Sequence, residues 1–333
     1  MAADVIAPLP DITAIETAAQ RLAGQAIVTP LLSSSMLDAR VGRRVLVKAE
    51  TLQRTGSFKF RGALNTLLSL DAETRKRGVV AFSSGNHAQG VAAAAQHLGI
   101  SATIVMPADA PAIKTANTRA YGATIVPYDR QRESREAIAE GIAREQRATL
   151  VPPYDDPRVI AGQGTVGLEI TRQAKELGCT PDAVVAPCSG GGLVGGIALA
   201  LAVVRPKIRV YAAEPEGFDD MRRSLAAGHR VANGVMGQSI CDCLLAPMPG
   251  VLPFAIAQRH VAGSLTVNND DVRRAMAVAF TDLKLVLEPG GAAALAAVLA
   301  DKLGDAGKCV VVVASGGNVD REMFESALER GAD

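Results

Sequence analysis

From residue 78 onward, short apolar runs alternate with segments of helix length. GVVAFSS (78–84) is followed by the Ala-rich NHAQGVAAAAQHLG (86–99), SATIVMP (101–107), the helix-like APAIKTANTRAYG (110–122), ATIVPY (123–128), the charged DRQRESREAIAEGIAREQ (129–146) and TLVPPY (149–154). This alternation predicts a parallel sheet covered by helices. A second series follows: AGQGTVGLEITRQAKELG (161–178), DAVVAP (182–187), a Gly-rich turn, LVGGIALALAVVRP (193–206), KIRVYAAEP (207–215) and KCVVVVASGG (308–317). Runs such as VVVV suit strands buried on both faces. The pattern predicts an α/β protein with two open twisted, mostly parallel sheets and flanking helices. A small domain is expected over 78–153 and a larger one from 1–77 and 154–333, with a cleft between them.

Composition narrows the class of partner. The 333 residues are 48% hydrophobic, enough for a sizeable core, and 35 basic against 34 acidic residues leave a net charge of +1. No electrostatic footprint for nucleic acid or an anionic membrane results, so a small molecule is the expected partner. Five cysteines, an odd number, lack zinc or disulfide-scaffold spacing and suggest a reducing compartment. The opening MAADVIAPLPDITAIE has an early acid and no long apolar core, so neither a signal peptide nor a membrane anchor is expected, and cytoplasm is the default.

Candidate chemistry lies in four stretches. In TGSFKFRGA (55–63), Lys59 stands between Phe58 and Phe60. A lysine kept half-dry has a lowered pKa and can act as a nucleophilic amine. Read as a strand, the stretch puts both phenylalanines on the face opposite Lys59. CSGGGLVGG (188–196) follows a predicted strand and opens an apolar helix, a setting in which backbone N–H groups and the helix dipole bind phosphate. Gly190, Gly192 and Gly195 also satisfy G-x-G-x-x-G, with Glu214 where a ribose-binding acid would sit, so an NAD-dependent oxidoreductase is a rival reading. SSGNHAQG (83–90) places hydroxyls, an amide and an imidazole at a strand-to-helix turn. In YAAEPEGFDD (211–220), Glu214, Asp220 and the Phe218 carbonyl offer hard oxygen ligands suited to Mg²⁺, Mn²⁺ or Ca²⁺.

Taken together, GSFKFRGA, SSGNHAQG, CSGGGL and SGGNVD (315–320) resemble the pyridoxal-phosphate-dependent serine/threonine dehydratase and serine racemase family, of fold type II. The likeness runs from TPLLSS (29–34) to SGGNVD. It implies pyridoxal 5'-phosphate as cofactor, held by Lys59 as a Schiff base, with Phe58 beside it. Asn86 resembles the residue that bonds the ring hydroxyl. Ser189, Gly190, Gly191, Gly192 and Leu193 resemble the phosphate cradle, and Ser315 the partner of the pyridine nitrogen. Ser83, Ser84, Gly85, Asn86 and His87 look like the clamp on the substrate carboxylate, with Ser84 where racemases of the family place a second base. Matching positions in several relatives hold a metal at Glu214, Phe218 and Asp220. Arg135 aligns with an arginine suited to an acidic substrate's second carboxylate. SICDCLL (239–245) departs from the family in placing Cys243 where a glycine is usual. The implied activity is dehydration of L-threonine or L-serine to a 2-oxo acid and ammonia. 3-Hydroxyaspartate dehydration and serine racemisation are the alternatives, and a homodimer or homotetramer is expected.

Overall fold

The computed structural model describes residues 8–110, 112–234 and 238–331, without the side chains of 112 and 113. Residues 1–7, on which much of the reading of the N-terminus rests, lie outside them. Among the described residues ten strands form two sheets: β1 Leu31–Ser33, β2 Arg44–Lys48, β3 Val79–Phe82, β4 Ala102–Pro107, β5 Thr124–Tyr128, β6 Thr149–Leu150, β7 Ala183–Pro187, β8 Arg209–Pro215, β9 Gly263–Val267 and β10 Cys309–Val313. The larger sheet has the order β1-β2-β10-β7-β8-β9 and the smaller β5-β4-β3-β6. Every pairing is parallel except that of β1 with β2. This is the α/β architecture the alternating runs predict.

The valines explain the sheet interiors. Val310, Val311, Val312 and Val313 are all fully buried, as are Val184 and Val185 on the neighbouring β7, because helices cover both faces. On one face the long helix Pro157–Glu176 packs against Gly192–Val204 so closely that a Cβ at Gly196 would lie 2.7 Å from the Gly164 nitrogen. The first residue of that second helix is Gly192. Among the described residues no helix is long and apolar enough to cross a membrane.

Two local expectations differ. Lys59 does not lie on a strand; it is the first residue of the helix Lys59–Leu68. Thr55 and Gly56, at φ 63° and 69°, turn the chain, and an isolated bridge between Ser57 and Gly316 is all the pairing that follows. The F-K-F alternation is too short to separate period 2 from 3.6. Helical geometry sends Phe60 into the core with Leu64 and Leu67 and leaves the Lys59 amine 5.2 Å from the Phe58 ring centre, so Phe58 is not on an opposite face. In TLVPPY only Thr149 and Leu150 pair, since the prolines at 152 and 153 supply no N–H to a ladder.

Candidate active site

The C-terminal ends of β3, β7 and β10 open onto one cleft, enclosing about 970 Å³ of empty space with its mouth included. Such strand ends are where open α/β sheets bind ligands. β3 delivers Ser83, Ser84, Gly85, Asn86 and His87; β7 delivers Ser189, Gly190, Gly191, Gly192 and Leu193; β10 delivers Ser315; and the helix Lys59–Leu68 brings in Lys59 and Phe58. Arg135, first residue of the helix Arg135–Gln146, lines the same cleft. Four stretches distant in sequence thus converge.

The Lys59 amine donates to the Pro153 carbonyl at 2.7 Å. Burial drops its pKa to about 8, against a small opposing pull from Cys243. It is a poised amine, available as nucleophile or base near neutral pH. The backbone beside it is tied to β10, with the Phe58 N–H donating to the Ser315 carbonyl at 3.1 Å. Ser315 is itself buried.

The glycine loop has the build of an anion cradle. Gly191 is left-handed at φ 92°, and a Cβ there would stand 2.8 Å from Met221 Cε and 2.9 Å from Pro253 Cβ. Gly190 and Gly192 press on Tyr154, whose ring carbons would lie 2.4 Å from a Cβ on Gly190. The helix Gly192–Val204 starts here with no side-chain cap, leaving its first N–H groups for a ligand. The Ser189 hydroxyl accepts from the Ala246 N–H at 3.1 Å, so the first loop position anchors the neighbouring chain.

At the β3 turn, the Asn86 amide donates to Glu288 Oε1 and accepts from Asn318 Nδ2 at 2.8 Å. Glu288 is fully buried with Oε2 unpartnered, and burial lifts its pKa to about 7 although Lys114 pulls it down. His87 Nε2 lies 2.8 Å from the Val151 carbonyl, while Nδ1 is buried without a partner. Burial, with Lys59 nearby, holds its pKa at about 3, so the imidazole is neutral and Nε2 carries the proton. Gly85 N–H bonds the Ser83 hydroxyl at 3.1 Å. The Arg135 guanidinium lies 5.4 Å from the Phe82 ring centre and bonds Glu136 at 2.8 Å.

Glu214, Phe218 and Asp220 lie away from this cleft, at the end of β8. Glu214 accepts from the Met221 and Arg222 N–H groups at 2.8 and 2.9 Å and from Ser264 Oγ at 2.6 Å. Those bonds leave it committed to the start of the helix Asp220–Ala227, not free for a ribose. Asp220 accepts from Asn233 at 2.8 Å through Oδ1, and its Oδ2 is buried and unpartnered. Burial raises both carboxyls, Glu214 to about 8 and Asp220 to about 6.

Sequence reasoning missed Tyr154, Lys114 and Asn318. Tyr154 follows two prolines and carries no motif; only its packing under Gly190 reveals it. Lys114 sits among polar residues of the helix Ala112–Ala120, yet it is buried and bonded to Asp242. Asp242 and Cys243 line the cleft and form with the buried Glu288 a cluster of metal-ligating atoms, but Lys114 supplies the balancing charge.

The unpartnered Glu288 and His87 atoms, the poised amine and the uncapped glycine turn together fit a small phosphorylated ring compound held by an imine. Comparison with known proteins agrees. Residues 22–316 match the model of the family described as pyridoxal-phosphate dependent enzyme. The L-threo-3-hydroxyaspartate ammonia-lyase of a Pseudomonas species is 45% identical over 94% of this chain and 96% of its own. The serine racemase of Arabidopsis thaliana is 41% identical over 93% of each. Among solved structures, the T.th. threonine deaminase superposes with a TM-score of 0.88 at 44% identity, covering 93% of this chain and 99% of that one. Maize serine racemase gives 0.90 at 38% identity over 98% of each. On the extent of that family match and these identities, the chain belongs to the pyridoxal-phosphate dependent enzymes.

Proposed function

We propose that this chain is an ammonia-lyase that dehydrates a β-hydroxy amino acid carrying a second carboxylate, 3-hydroxyaspartate, to a 2-oxo acid and ammonia. One observation carries the choice of substrate: Arg135 lines the same cleft as Lys59, stacked on Phe82 with its side chain 30% exposed. A guanidinium so placed can grip a carboxylate through two parallel bonds.

Bound pyridoxal 5'-phosphate supplies the conjugated ring that takes up the electron pair left by the departing α-proton. Lys59 would hold it covalently, and the free amine, its pKa lowered by burial to about 8, is suited to taking the α-proton. Ser189, Gly190, Gly191, Gly192 and Leu193 would hold the phosphate through backbone N–H groups, Asn86 the ring hydroxyl, and Ser315 the ring nitrogen. A hydroxyl at Ser315 donates without protonating that nitrogen, which favours elimination over deeper charge withdrawal. Ser83, Ser84, Gly85 and the main-chain N–H of His87 would bind the α-carboxylate at the start of the helix Asn86–Leu98, where the dipole favours an anion. The 78–153 segment serves as the clamping domain over 1–77 and 154–333.

The test is kcat/KM for L-threo-3-hydroxyaspartate, L-threonine and L-serine in the parent and in Arg135→Ala. The expected loss is roughly a hundredfold for the acidic substrate alone. A uniform loss across all three would return the reading to an L-threonine/L-serine dehydratase. Racemisation of L-serine, followed in the same assays by chiral analysis, is the second reading, favoured by Ser84 in the cleft.

Glu214, the Phe218 carbonyl and Asp220 would take a divalent cation, Mg²⁺, Mn²⁺ or Ca²⁺, if Glu214 gave up its bonds to the Met221 and Arg222 N–H groups; the unpartnered Asp220 Oδ2 supports this. Exhaustive chelation should then lower the thermal midpoint and Mn²⁺ restore it. A cytoplasmic homodimer or homotetramer is the assembly we infer, supported by Ile27, Val28, Leu52 and Val286, large apolar side chains that stand exposed. Light-scattering mass in solution tests it.

A further inference from the structure

The five cysteines show no pairing pattern along the chain, yet the fold brings two of them together. Cys179 follows the last turn of the helix Pro157–Glu176, its N–H bonded to the Ala174 carbonyl at 3.0 Å. Cys309 opens β10. These sulfurs, 130 positions apart in sequence, lie 3.7 Å from each other. That is non-bonded contact, and a disulfide would draw the two sulfurs to about 2 Å.

Access is asymmetric. Cys309 is 8% exposed, whereas Cys179 is half-buried and lines a surface cavity with Thr171, Lys175, Gly178, Thr180 and Arg205. The cavity wall carries two cations and no carboxylate, so it favours an anionic visitor. None of these residues belongs to the cleft around Lys59.

We propose that Cys179 and Cys309 are a redox-responsive dithiol, closed to a disulfide by exchange with a small anionic disulfide that enters this cavity. The Cys179 thiolate attacks one sulfur of the incoming disulfide; that S–S bond breaks and the first small thiol leaves with the Cys179 proton. Cys309 then attacks Cys179 Sγ, the mixed S–S bond breaks, and the second small thiol leaves with the Cys309 proton. Two protein thiols are oxidised and one small disulfide is reduced to two thiols. Burial lifts the Cys309 pKa, which makes the second step the slow one. The bond ties the end of a helix to the start of β10 across a long loop and stabilises the fold against unfolding. Its place is the end of β10 opposite Ser315, so turnover is untouched. In a reducing compartment the pair stays open; a rise in small disulfides closes it.

The test uses holoenzyme incubated with oxidised glutathione. Intact mass should show the loss of two hydrogens, peptide mapping a Cys179–Cys309 link, and melting a midpoint several degrees higher that dithiothreitol reverses. Cys309→Ser should stop at one glutathione adduct on Cys179, and Cys179→Ser should give no adduct at either position. Lys175→Ala with Arg205→Ala should slow reaction about tenfold with oxidised glutathione and leave the neutral disulfide of mercaptoethanol unaffected. A persistent wild-type adduct without closure, a link involving another cysteine, an unchanged midpoint, or equal slowing with both disulfides would overturn the proposal.

Discussion

Lys114, on the helix Ala112–Ala120, forms a charged hydrogen bond with Asp242, 128 positions away on the turn Asp242–Leu244. Among the described residues no other ion pair links 78–153 to the rest of the chain. Burial disfavours the ammonium, but Asp242 outweighs that and Lys114 stays charged, its pKa raised. Both residues line the cleft.

This contact should hold the cleft closed over substrate. Lys114→Met and Asp242→Asn are each expected to raise KM by about tenfold, the value of one charged hydrogen bond, with a smaller effect on kcat. If the pair acts as a unit, the double variant is no worse than either single one. Additive losses would show that each residue acts independently.

For Lys59 a pH-dependent stability follows. Its folded pKa of about 8 lies below the ordinary 10.5, so from pH 8 to 10.5 the unfolded chain binds more protons and stability rises with pH. Below pH 8 the buried charge costs up to about 3 kcal/mol. Cofactor-free Lys59→Met should therefore be more stable than the cofactor-free parent at pH 7, and the gap should shrink as pH approaches 10.5. Urea midpoints at both pH values measure it; a gap independent of pH would mean the amine is solvated. The same substitution should abolish turnover.

Gly191→Ala tests the cradle. The left-handed φ of 92° and the approach of Met221 and Pro253 leave no room for a methyl group, so the loop must shift. Cofactor affinity, read by absorbance titration, should fall at least tenfold, roughly 1.4 kcal/mol. Gly141→Ala, on an open helix face, is the control and should bind as the parent does.

The sequence made the strands and the glycine turn legible because their signals are local: uninterrupted valines, and glycines between a strand and an apolar helix. Lys59 was legible as a reactive amine but not as a helical residue, because F-K-F spans less than one period of either pattern. Lys114 and Tyr154 were illegible for another reason. Each is polar, sits in an ordinary polar segment, and gains its role only from an element more than thirty positions away, Asp242 for one and Gly190 for the other. The Cys179–Cys309 contact is of the same kind, joining the end of a helix to a strand far along the chain.

Behind Lys59 lies a buried ionic scaffold. Two positions on, Arg61 turns away from the cleft into this network. Its Nε and Nη2 bond Glu50 at 2.8 Å each, and Nη1 and Nη2 bond Glu169 at 2.7 and 2.8 Å. Lys48 reaches Glu169 at 2.6 Å, and Thr29 bonds Glu50 at 2.5 Å. Burial opposes the charges of Arg61 and Glu50, yet Arg61 keeps its proton and Glu50 stays ionised, because each offsets the other. Removing one member strands the rest, so Arg61→Met should cost about 3–5 kcal/mol in unfolding free energy. Replacing Arg61, Glu50 and Glu169 together by Met, Leu and Leu should cost less than the single change, since no buried charge is left unpaired except Lys48, which retains the Thr29 carbonyl and Gln173. Chemical denaturation of the two variants decides the point. A triple variant less stable than Arg61→Met would mean that the network contributes through packing, not through mutual neutralisation.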